Sequence, residues 1–336
     1  AGYRVVAIDQ RGYGSSSKYR AQTAYRIKEL VGDIVGVIDA YGEKLQAFVY
    51  ASGTTMKPIY TTARRAQRKN VAFAEGEDRK VLRAAQVAVD EGLARPWLVG
   101  RASIIEARIE KYGLRMQAGR DFEIINIDND ARYRDFWQTY HRLTERKGVT
   151  EQFAKIEMRR RLTLIASMLL YKGEVDGMIC GTWGSTAQHL AHVDQIIGRR
   201  AGVHTYACMN GLILPGRQVF LVDTHVNYDP TAEQLSEITI LAAEEMRRFG
   251  LVPKAALLSH SNFGSVRSDS ALKMAAARAL IEARAPWLEV DGEMHGDAAL
   301  SQEIREKLYP DSRLTGEANL LIMPTIDAAN ISFNLL

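Results

Sequence analysis

At 336 residues, with 46% hydrophobic and 25% charged side chains, the chain has room for about two domains and the balance of an ordinary globular protein. A net charge of +4 spread along the chain excludes the broad basic face of a nucleic-acid binder, and no apolar run approaches the ~18 residues of a membrane span. Two cysteines on apolar runs, Cys180 and Cys208, exclude a disulfide framework, and with no basic-then-apolar leader a reducing, cytoplasmic setting is expected.

Val5–Ile8 is a short β-branched run that ends at Asp9, and a Gly-punctuated loop, Arg11-Gly12-Tyr13-Gly14, follows. Ile27, Leu30, Val31, Ile34, Val37 and Ile38 form one apolar stripe of a helix, and Ala47–Tyr50 reads as a strand. After Lys69 strands and helices alternate as in a doubly wound α/β sheet. Asn70–Ala74 is a buried strand, and Glu75-Gly76-Glu77-Asp78 places acids in the first turn of a helix with the stripe Val81, Leu82, Ala85, Val89. Trp97–Val99, Phe122–Ile127 and Asp176–Cys180 are further strands, with helices over 103–112 and across 131–171. Thr205–Leu214 and Gln218–Val222 read as a hairpin around Pro215-Gly216-Arg217, and Thr231-Ala-Glu-Gln234 is a capping box whose helix Gly250 closes. Lys254–Ser259, Leu288–Asp291 and Asn319–Met323 are strands, and 327–336 reads as an amphipathic helix without a cap. Both ends of the chain are expected to be cut.

Loops where a strand ends and a helix begins hold anions, because free N–H groups and the helix dipole point there. Three fit: Gly181 to Ala187 with Ser185 and Thr186; Ser259 to Ser265 with Ser261 and Asn262; and Asp291 to Asp297 with Glu293. Ligands bind at the carboxyl ends of strands in open α/β sheets, so one cleft lined by all three is the expectation. Serine, asparagine and glycine are also ordinary turn and cap residues, which is the competing explanation for any single loop. His260, His295 and Asp297, or Asp223, His225 and Asp229, lack metal-ligand spacing, so no metal is expected. No G-x-S-x-G elbow supports a Ser-His-Asp triad, and Cys180 reads as a buried strand end rather than a nucleophile. The clusters Arg64-Arg65 with Arg68-Lys69, and Arg159-Arg160-Arg161, read as solvated helix faces before anion contacts.

Seven segments carry a resemblance that covers the chain from about Ala47 onward: Met56-Lys-Pro-Ile59, Ala74-Glu-Gly-Glu-Asp78, Arg146-Lys-Gly-Val-Thr150, Gly173-Glu-Val-Asp-Gly177, Leu258-Ser-His-Ser-Asn-Phe-Gly-Ser265, Asp291 to Ala299 and Ala318 to Pro324. They resemble the phosphate acetyltransferase family, and more closely the acetyltransferase-like C-terminal half of hybrid NADP-dependent malic enzymes. The resemblance implies a phosphotransacetylase-like, isocitrate/isopropylmalate dehydrogenase-like α/β fold of two domains with parallel or mixed sheets. It assigns 46–69 to a linker and lead-in helix, 70–202 with 319–336 to a first domain and 203–318 to a second. It further implies a homodimer, no tightly bound cofactor, and acetyl-CoA or acetyl phosphate in a cleft of Gly181, Ser185, Thr186, Ser259, Ser261, Asn262, Ser265, Asp291, Glu293 and Asp297, with Arg142 and Arg146 nearby. Catalytic relatives carry phosphate-holding arginines where register puts Ala191 and Thr144 here. That substitution implies binding without chemistry: a regulatory module of a malic enzyme whose NADP-dependent half is another segment. An active phosphate acetyltransferase is the alternative.

Residues 1–45 resemble the strand and loop before the nucleophile of α/β-hydrolase-fold epoxide hydrolases. The nucleophile elbow of that family is replaced by Tyr50-Ala-Ser-Gly53, so no epoxide hydrolysis is expected, and a poorly ordered or opportunistically packed arm is.

Overall fold

The computed structural model describes Met56, residues 59–214 and residues 217–336. The hydrolase-like segment 1–45 lies outside the described residues. The chain divides into two units, Ala1–Lys57 with Ile213–Gln218 and Pro58–Leu212 with Val219–Leu336, and apart from strand ends at 213–218 every element below belongs to the second.

After a helix over 59–65 (α1), four strands form a parallel sheet in the order β3-β2-β1-β4: β1 (Lys69–Phe73), β2 (Ala94–Gly100), β3 (Glu123–Asn126) and β4 (Gly177–Ile179). Parallel strands must be covered on both faces, and side chains alternate between those faces. Phe73 and Leu98 accordingly pack with Val81, Leu82 and Ala85 of α2 (Arg79–Asp90) and Ile105 of α3 (Ala102–Lys111). Their neighbours Ala72 and Val99 pack on the opposite side against α4 (Tyr133–Thr144), α5 (Glu151–Arg160) and α6 (Leu162–Tyr171). Helix α6 is apolar almost all round because it is buried, from Thr163 to Leu169, under that face.

Helix α7 (Thr186–Ile196) leads to a second sheet in the order β5-β6-β9-β7-β8: β5 (Met209–Leu214), β6 (Arg217–Val222), β7 (Lys254–Leu258), β8 (Glu289–Met294) and β9 (Leu320–Ile322). Strands β6, β9, β7 and β8 are parallel. Helix α8 (Ala232–Arg248) opens with the capping box Thr231–Gln234 and buries Leu235, Ile238, Ala242 and Met246 against this sheet, together with α9 (Asp269–Arg284). Two short helices, α10 (Gly296–Leu300) and α11 (Gln302–Leu308), follow β8, and α12 (Ile326–Leu335) follows β9. Between the sheets, Tyr206 donates to Asp194 at 2.9 Å and Arg200 pairs with Glu244 at 2.9 Å. No helix among the described residues is long and apolar enough to cross a membrane.

One assignment is overturned. The strand at 320–322 does not return to the first sheet but lies between β6 and β7, with Phe220 opposite Leu320 and Leu257 opposite Ile322. Asn319 fixes the register: its side-chain oxygen accepts the Lys254 N–H at 2.7 Å and its amide donates to Val252 O at 2.9 Å. An apolar triplet such as Leu-Leu-Ile suits the core of either sheet, so its sequence does not say which one it joins.

Candidate functional site: a cleft at the ends of β1 and β4

Beyond β1 the backbone crosses the carboxyl ends of its neighbours. Ala74 N–H donates to Ile179 O at 2.9 Å, and Gly76 N–H donates to Val99 O at 3.0 Å. A Cβ at position 76 would stand 2.8 Å from Val99 O and 2.9 Å from Val99 N, so only glycine permits this crossing. Its neighbours Glu75 and Glu77 are thereby buried at the strand ends.

The acids expected in the first helical turn precede it. Helix α2 begins at Arg79, Asp78 is its cap and accepts the Lys80 N–H at 2.7 Å, and the two glutamates face partners distant in sequence. Glu77 takes both the backbone N–H and the Nε of Arg101 at 2.9 Å, and Nη2 of Arg101 at 2.8 Å. The Arg101 guanidinium holds the Glu77 carboxyl below the usual carboxylate range against the opposing cost of burial. A depressed pKa gives stability that is complete above the ordinary carboxylate value and is lost as pH falls through the folded one. Glu77→Gln is therefore expected to cost about 1–2 kcal/mol near neutrality and to flatten the acid limb of the stability curve. Thermal melts of both proteins from pH 7 to pH 3 check this, and parallel acid limbs would refute it.

Glu75 accepts the Gly181 N–H at 3.1 Å and stands 3.9 Å from Nδ1 of His189. His189 is held from both ends. Its Nε2 lies 2.7 Å from the Trp183 carbonyl, which only accepts, so this nitrogen carries the proton, and Nδ1 takes the Thr163 hydroxyl at 2.7 Å. His192, one turn along α7, has its pKa lowered by burial, and its Nδ1 is buried without a partner among the described residues. These groups line a cleft of about 370 Å³, whose lining also includes Arg160 and Arg161 at the junction of α5 and α6. Arg161 pairs with Glu157 at 3.0 Å, whereas Arg160 has no hydrogen bond or ion pair among the described residues. The trio read as a solvated helix face thus supplies two cations to the cleft.

The expected ligand residues fall into separate groups. Gly181, Ser185 and Thr186 frame the loop whose Trp183 and Gly184, with Gln188 and His189 of α7, form the cleft wall. The Ser185 hydroxyl itself is occupied as the cap of α7, accepting the Gln188 N–H at 3.4 Å. In the second sheet Ser259, Ser261, Asn262, Ser265 and Glu293 interlock. Ser261 donates to Glu293 at 2.9 Å, Ser265 accepts the Asn262 N–H at 2.9 Å, and Asn262 accepts the His295 N–H at 2.8 Å. Ser259 accepts the Ser261 N–H at 3.2 Å. Asp291 is spent on the Ser312 hydroxyl at 2.8 Å and the Arg313 N–H at 2.7 Å, while Asp297 is exposed in the first turn of α10. Arg142 and Arg146 are exposed, and Arg142 reaches Thr139 at 3.3 Å. No hydrogen bond among the described residues joins the first loop to the other two; the first lies beside the cleft of the first sheet, and the other two are cross-linked to each other in the second. Burial raises the thiol pKa of Cys180 and of Cys208, and the described residues hold no cluster of three His, Cys, Asp or Glu fit for a metal ion.

Residues 54–336 match the family described as phosphate acetyl/butaryl transferase. The chain belongs to that family. It is 50% identical over 298 residues to the NADP-dependent malic enzyme of Salmonella typhimurium, covering 89% of this chain and 39% of that one. It is 48% identical over 297 residues to the NAD-dependent malic enzyme of Rhizobium meliloti, again with 39% of that protein covered, so the chain spans about two-fifths of these relatives. A phosphotransacetylase from Streptococcus pyogenes superposes with a TM-score of 0.74 at 29% identity, covering 83% of this chain and 85% of that one. The phosphate acetyl/butaryl transferase match begins at residue 54, so the hydrolase-like segment lies outside it.

Sequence reasoning did not single out Arg101, His189 and His192 of this cleft, and it gave Glu75 and Glu77 to a helical turn. A signal was present for the two histidines, which sit three residues apart just after a capped loop, on one helical face. None was present for Arg101, which is brought to Glu77 only by the pairing of β1 with β2.

Proposed function

We propose that the chain is an acetyl-CoA-binding, non-catalytic regulatory and dimerisation module of a hybrid NADP-dependent malic enzyme, whose decarboxylating half is a separate segment. The carrying observation is the state of the cleft cations. Transfer of acetyl to phosphate needs fixed cations on the phosphate, each worth about 3 kcal/mol if judged by one oxyanion donor. Here Arg101 and Arg161 are paired to Glu77 and Glu157, leaving Arg160 as the unpaired cleft cation among the described residues. The two positions at which register expects arginine are Thr144, buried with its hydroxyl on Tyr140 O at 2.7 Å, and Ala191, exposed on α7. One free cation suffices to hold an anionic ester, but it falls short of neutralising a phosphoryl group under attack. The two malic enzymes above differ in nicotinamide coenzyme by name, so NADP in this reading rests on the motif resemblance.

Titration calorimetry with acetyl-CoA is expected to show saturable binding, while acetyl phosphate and CoA together yield no acetyl-CoA above background. Absence of heat at millimolar acetyl-CoA refutes the reading. Turnover would favour the second reading, an active phosphate acetyltransferase, which is supported by His192, whose pKa burial lowers and whose Nδ1 is without a partner among the described residues, as a candidate base for the CoA thiol. Sedimentation of the chain, expected to give a dimer, tests the dimerisation arm.

A further inference from the structure

We infer that Trp183 is the stacking surface for the adenine of the bound ester, and that Arg160, which lines the same cleft, receives a phosphate; this rests on the reading of the cleft as an acetyl-CoA site. Trp183 lines the cleft as a residue 53% exposed, and among the described residues no ring or cation covers its indole face. The backbone of the loop that carries it is fixed. Its carbonyl is tied to His189 at 2.7 Å, and the next residue, Gly184, has a φ of +96° with His189 Nε2 only 3.0 Å from where a Cβ would stand. An exposed indole in a cleft that also holds the unpaired guanidinium of Arg160, with the ion-paired Arg101 and Arg161 in the same lining, is the pairing that selects a planar base bearing phosphates.

The size of the cleft says which part of the ester enters. About 370 Å³ is at the small end of ligand sites, enough for one end of a long molecule. The pantetheine arm is flexible and uncharged and gains little from an indole or a free cation. The adenosine phosphate end gains from both. The same chemistry is carried by a nicotinamide dinucleotide, and the two sources are separable by experiment.

The full 336-residue chain and its Trp183→Ala and Trp183→Phe variants are titrated with acetyl-CoA, adenosine 3′,5′-bisphosphate, 4′-phosphopantetheine and NADP. Removal of a stacked base contact is expected to weaken acetyl-CoA and the bisphosphate about tenfold in Trp183→Ala, with most of the affinity restored by phenylalanine and none lost for phosphopantetheine. Arg160→Ala is expected to weaken the bisphosphate and to reduce the salt dependence of its binding. Acetyl-CoA binding to the parent chain but equally to Trp183→Ala overturns the inference and leaves the acetyl-CoA reading standing. NADP binding in preference to both CoA fragments, with loss in Trp183→Ala, overturns the assignment to the ester. No acetyl-CoA binding to the parent chain refutes the reading and the inference together.

Discussion

Arg305→Ala is expected to destabilise the protein by about 3–5 kcal/mol, measured by urea unfolding. Arg305 lies on α11 and is fully buried, with no carboxylate partner among the described residues. Its guanidinium donates to three backbone carbonyls, Ala298 and Leu314 at 3.0 Å and Gly316. One side chain thus ties α10 to the loop that leads into β9. Alanine removes every donor, leaves the three oxygens dry and opens a cavity where the largest fully buried side chain stood. Arg305→Lys keeps the charge but loses the planar fork, so an intermediate loss is expected. A loss below about 1 kcal/mol for the alanine variant would show that water enters and satisfies the carbonyls.

The second large effect is expected from one methyl group. Gly76→Ala places a Cβ 2.8 Å from Val99 O and 2.9 Å from Leu98 Cβ. These are atoms of the adjacent strand, not the end of a flexible side chain, so the crossing segment itself must move. Overpacking of this kind costs about 1–3 kcal/mol and more where backbone meets backbone. The shift carries Glu75 and Glu77 with it, so ligand binding in the cleft is expected to fall further than stability does. Gly177→Ala in β4 is the matched control, because a Cβ there meets nothing within 4 Å and the change should be neutral or slightly stabilising. Equal stability and equal acetyl-CoA affinity in the two variants would show that the segment yields without consequence.

What could be read without a structure was what depends on near neighbours. The stripe Val81, Leu82, Ala85 is buried as its spacing requires, and Thr231 with Gln234 makes the capping box its four-residue pattern announces. The seven motifs pointed to the phosphate acetyl/butaryl transferase family over nearly the whole of the span that matches it. The cleft was harder, because its charges are set by pairs far apart in the chain. Glu77 and Arg101 are 24 residues apart, and Glu75 meets Gly181 across 106. Seen alone, Arg159-Arg160-Arg161 is a helix face like any other; the turn between α5 and α6 is what aims two of the three inward. The serine-rich loops were legible as loops, but not in how they pair. Their polar groups are those a ligand would need, yet most are satisfied by one another.

The position of β9 has a consequence for how the molecule is made. A ribosome releases β6 and β7 long before Leu320, yet these two strands touch only through β9, which lies between them. The first sheet can close once β4 emerges at Ile179, whereas the second must wait with a missing middle, its two halves joined only through α8 and the loops around it. Contacts of such long sequence separation form slowly, and open strand edges invite wrong partners meanwhile. The part of the protein that holds the cleft is therefore finished earlier, and the part that holds the serine-rich knot stays open and aggregation-prone until Leu320 to Ile322 have been made.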